Sequence, residues 1–151
     1  MENRQFEGML ATARAWLAER TPQDLAEKTG ARLSDGALRL KTLGQEVSIR
    51  LPDCDIQPPL SKWHTLTLLH YLHLSDGTPP TGRTITFSQH KDGLIRGSGL
   101  DRNAELIIRR DLGAPAPEEL VRRCRLLGAE LVPSNADLCA RFDFAPHYPL
   151  W

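Results

Sequence analysis

The stretch LSKWHTLTLLHYLHL, residues 60–74, places the strongest constraint on the fold. When successive residues are rotated by about 100°, its apolar side chains fall nearly all around the helix axis. These side chains are Leu60, Trp63, Leu66, Leu68, Leu69, Leu72 and Leu74. A helix that is apolar on most sides has to be covered by other elements. The sequence therefore predicts that residues 60–74 form a central buried helix.

Two helices are predicted before it. The first carries one apolar stripe at helical spacing, formed by Phe6, Met9, Leu10, Ala13, Trp16 and Leu17. The second is predicted over residues 21–30. Thr21 suits the N-cap, Pro22 suits the first helical position, and Gly30 suits the C-terminal stop.

The chain then changes to the period of a β-strand. Apolar and polar residues alternate over residues 38–41 and again over residues 47–51. Turn-forming pairs, Asp35-Gly36 and Leu43-Gly44, separate these runs. This pattern predicts an antiparallel β-meander with one buried face.

The second half alternates between loops and regular elements. Residues 75–82 are rich in turn formers, and RTITF, residues 83–87, predicts a strand. A glycine-rich loop, DGLIRGSG, precedes a helix that is predicted to start at Asp101. Pro117 opens a further helix, with acidic residues in its first turn and arginines toward its end. The whole pattern predicts one α+β domain over residues 1–151, with two N-terminal helices, a small mostly antiparallel sheet, and helices packed on it.

Composition excludes several classes of protein. The chain has 19 basic and 19 acidic residues, so no general attraction to nucleic acid or to an anionic membrane is predicted. No stretch approaches the roughly 18 apolar residues of a membrane span. Cys54, Cys124 and Cys139 are dispersed and lack zinc-ligand spacing, which predicts three reduced thiols in a cytoplasmic protein.

The central helix contains three histidines. His64 is out of phase with the other two, and only His70 and His73 can face the same way. No HExxH pattern supplies a third ligand, so no metal site is predicted. The favoured interpretation makes His70 a buried residue with a backbone or carboxylate partner, and places His73 near the helix end. The alternative makes His70 a functional residue in a pocket with Tyr71.

The glycine-rich loop offers a candidate anion site. The loop lacks the lysine of a P-loop, and Arg102 stands where the dinucleotide fingerprint needs its third glycine. An ordinary mobile turn over residues 93–99 is the favoured interpretation. The alternative is a weak anion site formed by Arg96, Gly97, Gly99 and Arg102. Together with His70 and Tyr71, these are the predicted ligand-binding residues.

The C-terminal stretch FAPHYPLW concentrates aromatic residues. Phe144, Tyr148 and Trp151 carry a large apolar area, which predicts that the segment packs rather than dangles. It is expected to complete a sheet edge in this chain or to dock on a second copy, which would make the protein a homo-oligomer.

Three stretches together resemble the bacterial and archaeal domain of unknown function DUF3786. They are LTLLHYLHLSDGTPPTGRTITF, LGAELVPSNAD and FDFAPHYPL, at residues 66–87, 127–137 and 142–150. The family's recurring helix segment corresponds here to Leu69, His70, Tyr71 and Leu72, and its turn and strand end to Thr81, Gly82 and Phe87. Members commonly continue past the position of Trp151, so the resemblance implies either a fragment truncated at this end or a short form whose final sheet edge is met by another element.

The resemblance also implies a biological context. The family is associated with anaerobes, and some members are joined to iron-sulfur domains. Anaerobic cofactor or one-carbon metabolism is therefore implied, although this chain has no cysteine cluster to hold such a centre. The favoured hypothesis is a binding or accessory protein for a small anionic ligand. The alternative is a small enzyme that uses His70 as acid or base. No cofactor is assigned.

Overall fold

The computed structural model describes residues 2–90 and 97–151. The chain forms two compact units. The first contains the described residues up to Pro80 together with Asp143–Leu150. The second contains the described residues from Thr81 to Phe142, with Trp151. Both combine helices with small antiparallel sheets, which confirms the predicted α+β class.

Three helices belong to the first unit. They are α1 (Glu2–Ala18), α2 (Pro22–Thr29) and α3 (Lys62–Leu74). The predicted ends of α2 are confirmed. The Asp24 backbone N–H donates to Thr21 Oγ1 over 3.2 Å, and Gly30 ends the helix with φ of 71°. This left-handed φ favours glycine, because a Cβ there would meet the following carbonyl.

A four-stranded antiparallel sheet completes this part of the chain. Its strands are β1 (Arg32–Ser34), β2 (Ala37–Thr42), β3 (Gln45–Arg50) and β4 (Asp55–Gln57), in that order. The two predicted turn pairs connect β1 to β2 and β2 to β3, and all four of their residues have positive φ. This is the backbone conformation that two-residue hairpin turns require. The predicted meander is confirmed in β1 to β3, whereas β4 was not predicted.

Helix α3 lies at the centre of the hydrophobic core. Leu68, Leu69 and Leu72 have no exposed surface, and α1 packs along the helix. The ends of α3 differ from the prediction, because Trp63 remains 54% exposed and Leu74 71% exposed. The apolar pattern therefore identified the buried middle of the helix correctly and overestimated the burial of its two ends.

The C-terminal strands are β5 (Glu130–Leu131), β6 (Ala140–Ala145) and β7 (Tyr148–Leu150). They form a three-stranded sheet of order β5-β6-β7, with β5 antiparallel to β6. The end of β6 enters the core of the first unit, where Phe144 and Ala145 are buried. The Leu43 backbone N–H donates to the Asp143 carbonyl over 3.0 Å. The start of the C-terminal segment thus packs as predicted, whereas Tyr148 remains about half exposed.

The second unit contains α4 (Gly97–Asp111) and α5 (Pro117–Leu126). Helix α5 begins at the predicted proline, and Cys124 is buried on its inner face. All three cysteines lie in the described part of the chain and are free. No helix among residues 2–90 and 97–151 has the length and apolar character needed to cross a membrane.

The strand predicted over residues 83–87 is wrong. Phe87 instead begins a 3-10 helix, Phe87–Gln89. The Thr86 N–H donates to Gln89 Oε1 over 2.9 Å, and the Gln89 N–H donates to the Thr86 carbonyl over 3.1 Å. These local bonds satisfy backbone groups that a strand would have offered to a neighbour.

The start predicted for α4 is also wrong. The helix begins at Gly97, so Gly97 and Gly99 are helical and do not belong to a loop. Asp101 was expected to cap the helix, but its carboxylate accepts the Ser88 hydroxyl over 2.8 Å and lies inside the first turns. The rest of the predicted mobile loop, residues 93–96, lies outside the described residues.

Candidate functional site

A pocket of about 300 Å³ opens beside the C-terminal half of α3. All of its walls come from the first unit: the end of α2, helix α3, the turn that follows α3, and the segment from β6 to β7. Its lining residues are Lys28, Thr67, His70, Tyr71, Leu74, Ser75, Asp76, Gly77, Thr78, Phe144, His147 and Tyr148. The volume is at the lower end of the range for small-molecule sites, which is about 300–1,000 Å³.

The periodicity of α3 determines which side chains reach the pocket. Thr67, His70 and Leu74 follow one another at spacings of three and four, so they share a helix face. Leu68, Leu69 and Leu72 occupy the buried faces. The core therefore fixes the rotation of the helix, and this rotation presents His70 to the pocket.

The turn after α3 forms the pocket's next wall. The Ser75 hydroxyl donates to the Tyr71 carbonyl over 2.7 Å and closes the last helical turn. The Thr78 backbone N–H donates to Asp76 Oδ1 over 2.8 Å. Hydrogen bonds from Thr78 lower the pKa of the Asp76 carboxyl below its ordinary value. Both Ser75 and Asp76 are thus committed to local structure.

Tyr71 joins three segments of the first unit. Its hydroxyl donates to the Thr29 carbonyl at the end of α2 over 2.8 Å. The same oxygen accepts the backbone N–H of His147 over 3.1 Å. Burial raises the pKa of Tyr71, and the His147 bond opposes that increase. The phenol therefore stays protonated and holds the β6–β7 connection against α2.

Aromatic rings form one side of the pocket. Tyr148 contacts Phe144 with ring centroids 5.9 Å apart and Tyr71 with centroids 6.4 Å apart. The ring planes meet at 79° and 67°, respectively, so neither neighbour lies parallel to Tyr148. Because Tyr148 is 51% exposed, this side of the pocket presents aromatic surface to a ligand.

His70 is partly buried and lines the pocket. Its ring meets Trp16 edge-on with centroids 5.4 Å apart. No residue in the described ranges forms a hydrogen bond with its ring nitrogens. The favoured interpretation of a buried histidine with a backbone or carboxylate partner is therefore wrong, because the helix phase turns this side chain toward the pocket.

The other two helix histidines have different surroundings. His64 Nε2 lies 2.6 Å from Thr42 Oγ1, and burial lowers the pKa of His64. His73 lies in the last turn, as predicted, and stacks on Trp16 with centroids 4.4 Å apart. Neither lines the pocket. Among the described residues, no group of three or more His, Cys, Asp or Glu side chains is arranged to hold a metal ion.

The family comparison covers nearly the whole chain. The sequence model of the domain of unknown function DUF3786 matches residues 21–151. The chain belongs to the DUF3786 family. The resemblance noted in the sequence is confirmed. No curated protein and no solved structure matches the chain. Every lining residue of the pocket lies inside the matched range of this DUF3786 protein.

The six predicted ligand-binding residues fall into two sets. His70 and Tyr71 both line the pocket of the first unit. Gly97, Gly99 and Arg102 lie on α4 of the second unit, and Arg102 is exposed. Arg96 lies outside the described residues. An anion site at the second set remains a prediction, and the described residues of this set lie in the first turns of α4.

The polar pocket residues of this DUF3786 protein that sequence reasoning missed include His147 and Lys28. His147 lies between β6 and β7, and Lys28 lies in the last turn of α2. These segments approach each other at Gly30, where an added Cβ would lie 2.9 Å from His147 Nε2 and 3.0 Å from Pro146 Cβ. The signal for His147 lay in the stretch FDFAPHYPL, which resembles the family and places a histidine among aromatic residues and prolines that were expected to pack. Lys28 had no such signal.

Proposed function

We propose that this DUF3786 protein is a binding or accessory module that holds a small molecule in the α3 pocket. The observation that carries the proposal is the concave site of about 300 Å³ with uncommitted imidazoles in its wall. Ligand sites are typically concave, largely apolar and equipped with a few polar groups that orient the ligand.

The polar groups of the pocket divide into two classes. Tyr71, Ser75 and Asp76 form hydrogen bonds that maintain the local fold. The ring nitrogens of His70 and His147 have no hydrogen-bond partner among the described residues. Because a polar group inside a protein is costly when unpaired, imidazoles open to a pocket favour a ligand that pairs with them.

The alternative is a small enzyme that uses His70 as acid or base on an anionic small molecule. Its support is that the His70 ring is open to the pocket rather than enclosed in the core. General acid-base chemistry also needs a group that orients the imidazole, or a second group that acts on the substrate. One candidate in the pocket, the Tyr71 hydroxyl, is bonded to Thr29 and His147. A binding role therefore has the stronger support.

The biological context and assembly state belong to the same proposal. The family resemblance supports anaerobic cofactor or one-carbon metabolism as the context. Self-association through the C-terminal segment is supported by the exposure of Tyr148 and Leu150, at 51% and 43%. Residues of β7 would then contribute both to a pocket wall and to a contact between copies.

The experiment compares two threonine-to-tryptophan variants. Thr67 lines the pocket and Thr12 lies on α1, yet both are exposed and both donate a hydroxyl to the carbonyl four residues earlier over 2.9 Å. Equilibrium dialysis of the full chain against a metabolite mixture, read by mass spectrometry, should show a compound retained by wild type and Thr12→Trp. Thr67→Trp should lose it by filling the pocket.

The outcomes separate the candidate functions. Retention of no compound by wild type, or equal retention by Thr67→Trp, would overturn the proposal. Conversion of the retained compound by wild type but not by His70→Gln would establish the enzyme alternative. If His70→Gln also retains the compound and neither protein converts it, the binding role is supported and the enzyme alternative is not.

A further inference from the structure

We infer that the ligand of the α3 pocket is a planar aromatic or heteroaromatic acid, and this inference rests on the proposed binding function. Three properties of the lining residues support it: an open aromatic surface, hydrogen-bond donors available on Lys28, His70 and His147, and a small volume. Each property restricts the ligand in a different way.

The aromatic surface favours a flat ring. Tyr148 is 51% exposed, and its two aromatic neighbours meet it at steep angles. A planar ligand ring therefore finds aromatic surface with which no other ring is stacked. Stacked or edge-on aromatic pairs contribute about 0.5–1.5 kcal/mol beyond the burial of their area. Phe144 and Leu74 extend the same wall with apolar surface.

The uncommitted polar groups favour an acceptor on the ligand. The Lys28 ammonium has three N–H groups, and its one ion pair is with Asp24 Oδ1 at 2.7 Å. His70 and His147 each add a ring N–H in their neutral forms. On the acceptor side, Asp76 Oδ1 already accepts the Thr78 N–H. A neutral imidazole also keeps one ring nitrogen as an acceptor, so the Lys28 ammonium, which only donates, is the group that favours a carboxylate on the ligand.

The hydroxyls of Thr67 and Ser75 add no free hydrogen-bond donor to the pocket. Thr67 donates to the Trp63 carbonyl, and Ser75 donates to the Tyr71 carbonyl. Their protons are therefore used inside the helix. The charged lining groups are Lys28 and Asp76, and Lys28 itself helps to lower the pKa of the Asp76 carboxyl. One positive and one negative lining group together disfavour a strongly charged ligand, and Lys28 provides a position for a single negative charge.

The volume sets the size of the ligand. A site of about 300 Å³ accommodates one or two fused rings with a short acidic group. A dinucleotide cofactor would need a much larger cleft. The three restrictions together define a flat, monoanionic molecule of one or two rings.

The experiment uses probes of one shape and three charges. Benzoate, benzamide and benzamidinium are planar and nearly equal in size, with charges of −1, 0 and +1. Cyclohexanecarboxylate keeps the acid and removes the aromatic ring. Each is titrated into the full-length protein, and binding is measured from amide shifts of Gly77, Thr78 and His147 in two-dimensional NMR spectra.

Benzoate should bind tightest. Its affinity should exceed that of benzamide about five- to tenfold, because charge-assisted hydrogen bonds are stronger than neutral ones. Cyclohexanecarboxylate should bind about two- to tenfold more weakly than benzoate through the loss of the ring contact. Lys28→Gln should weaken benzoate more than benzamide, whereas Tyr148→Leu should weaken both aromatic probes. Lys41→Gln, at an exposed position on β2, is the matched control and should change neither.

Each failure has its own signature. If benzamide or benzamidinium binds as tightly as benzoate, the ligand is not specifically an acid, and the proposed binding function is unaffected. If cyclohexanecarboxylate binds as tightly as benzoate, the inference that the ligand contains an aromatic ring is wrong. If no probe shifts the pocket amides while dialysis retains a different compound, the ligand class is wrong and the function stands. If dialysis also retains nothing, the proposed function itself fails.

Discussion

The two compact units bury very different amounts of apolar side chain. In the first unit, Leu17, Leu68 and Leu69 have no exposed surface and belong to a continuous hydrophobic core. In the second unit, the buried hydrophobic residues among those described are Cys124 and Ala129. Three consecutive large residues of α4, Leu106–Ile108, are each more than 50% exposed. The second unit thus has regular helices without a comparable core.

Local interactions account for much of the regular structure in the second unit. Glu105 pairs with Arg109 at 2.9 Å along α4, and Glu119 pairs with Arg122 and Arg123 along α5. Exposed pairs of this kind contribute about 0–1 kcal/mol each. A buried leucine, by contrast, contributes about 1.5–3 kcal/mol. The comparison implies that the first unit carries most of the stability and gives the pocket a rigid frame.

The largest effect is expected from truncating a buried leucine in the first unit, and truncating an exposed isoleucine in the second unit is the comparison. Leu69→Ala should lower the free energy of unfolding by about 2–5 kcal/mol, because it leaves a cavity in the core. Ile107→Ala on α4 should cost less than about 1 kcal/mol, because the side chain is already 52% exposed. Urea unfolding followed by far-UV circular dichroism measures both.

Two results would contradict the inferred difference in core burial between the two units. Equal costs for the two variants would mean that Ile107 is covered in solution. A Leu69→Ala cost below about 1 kcal/mol would mean that this face of α3 does not belong to the core. An unchanged slope of the unfolding free energy against urea would show that both variants unfold from the same native state.

The same contrast explains which elements the sequence could predict. Helix α2 and the meander of residues 31–51 were predictable because caps, turn residues and hydrophobic period agree there. The strand predicted at residues 83–87 failed because alternation has meaning only where a neighbouring strand pairs with it. Thr86 and Gln89 satisfy each other locally instead. Asp101 resembled a helix cap, but its actual partner is the Ser88 hydroxyl.

The pocket could be predicted only in part. His70 and Tyr71 were identified because three histidines stand out on a mostly apolar helix and because both residues lie in the family's recurring helix segment. His147 is 76 positions from the Tyr71 hydroxyl that its backbone contacts, and nothing in the local pattern records such a pairing. Lys28 has the ordinary position of a basic residue in the last turn of a helix. Its place in the pocket follows from tertiary packing alone.

The docking of the C-terminal segment on the first unit can be tested at two glycines. Gly30 and Gly36 both have φ of 71°, but an added Cβ at Gly36 meets nothing within 4 Å, whereas one at Gly30 meets Pro146 and His147. Gly36→Ala should cost about 1–2 kcal/mol for the left-handed backbone. Gly30→Ala should cost about 1 kcal/mol more through overpacking. Urea unfolding measures the difference.

Gly30→Ala should also move the NMR signals of Pro146, His147 and Tyr148, which Gly36→Ala should leave in place. This readout separates displacement of the segment from a general loss of stability. Equal costs and unmoved signals would contradict the close packing of the β6–β7 connection on the end of α2. The first unit would then consist of residues up to Pro80 with a loosely attached C-terminal segment.

A smaller effect is expected from pH at His64. Burial lowers the pKa of His64 from its ordinary value of 6.5, so the folded state favours the neutral ring. The unfolded chain binds the proton at higher pH than the folded chain does. The resulting stability is fully present above pH 6.5 and is lost as the pH falls below it. His64→Gln should therefore flatten the stability profile between pH 7.5 and 5.5.

Urea unfolding of wild type and His64→Gln at several pH values measures the difference between the two profiles. An unchanged slope in His64→Gln would mean that the contact of His64 with Thr42 and its burial do not perturb proton binding.

The smallest effect is expected at Glu119 on α5. Hydrogen bonds from Arg122 and Arg123 lower the pKa of this carboxyl from 4.5 to about 2. Its stabilising effect is therefore present above pH 4.5 and is lost as the pH falls through about 2. Glu119→Gln at pH 7 should change the unfolding free energy less than any variant above, because water and salt screen all three side chains. High salt should remove the remaining difference from wild type. A loss as large as that of Leu69→Ala would mean that the second unit depends on this ion network as strongly as the first depends on its core.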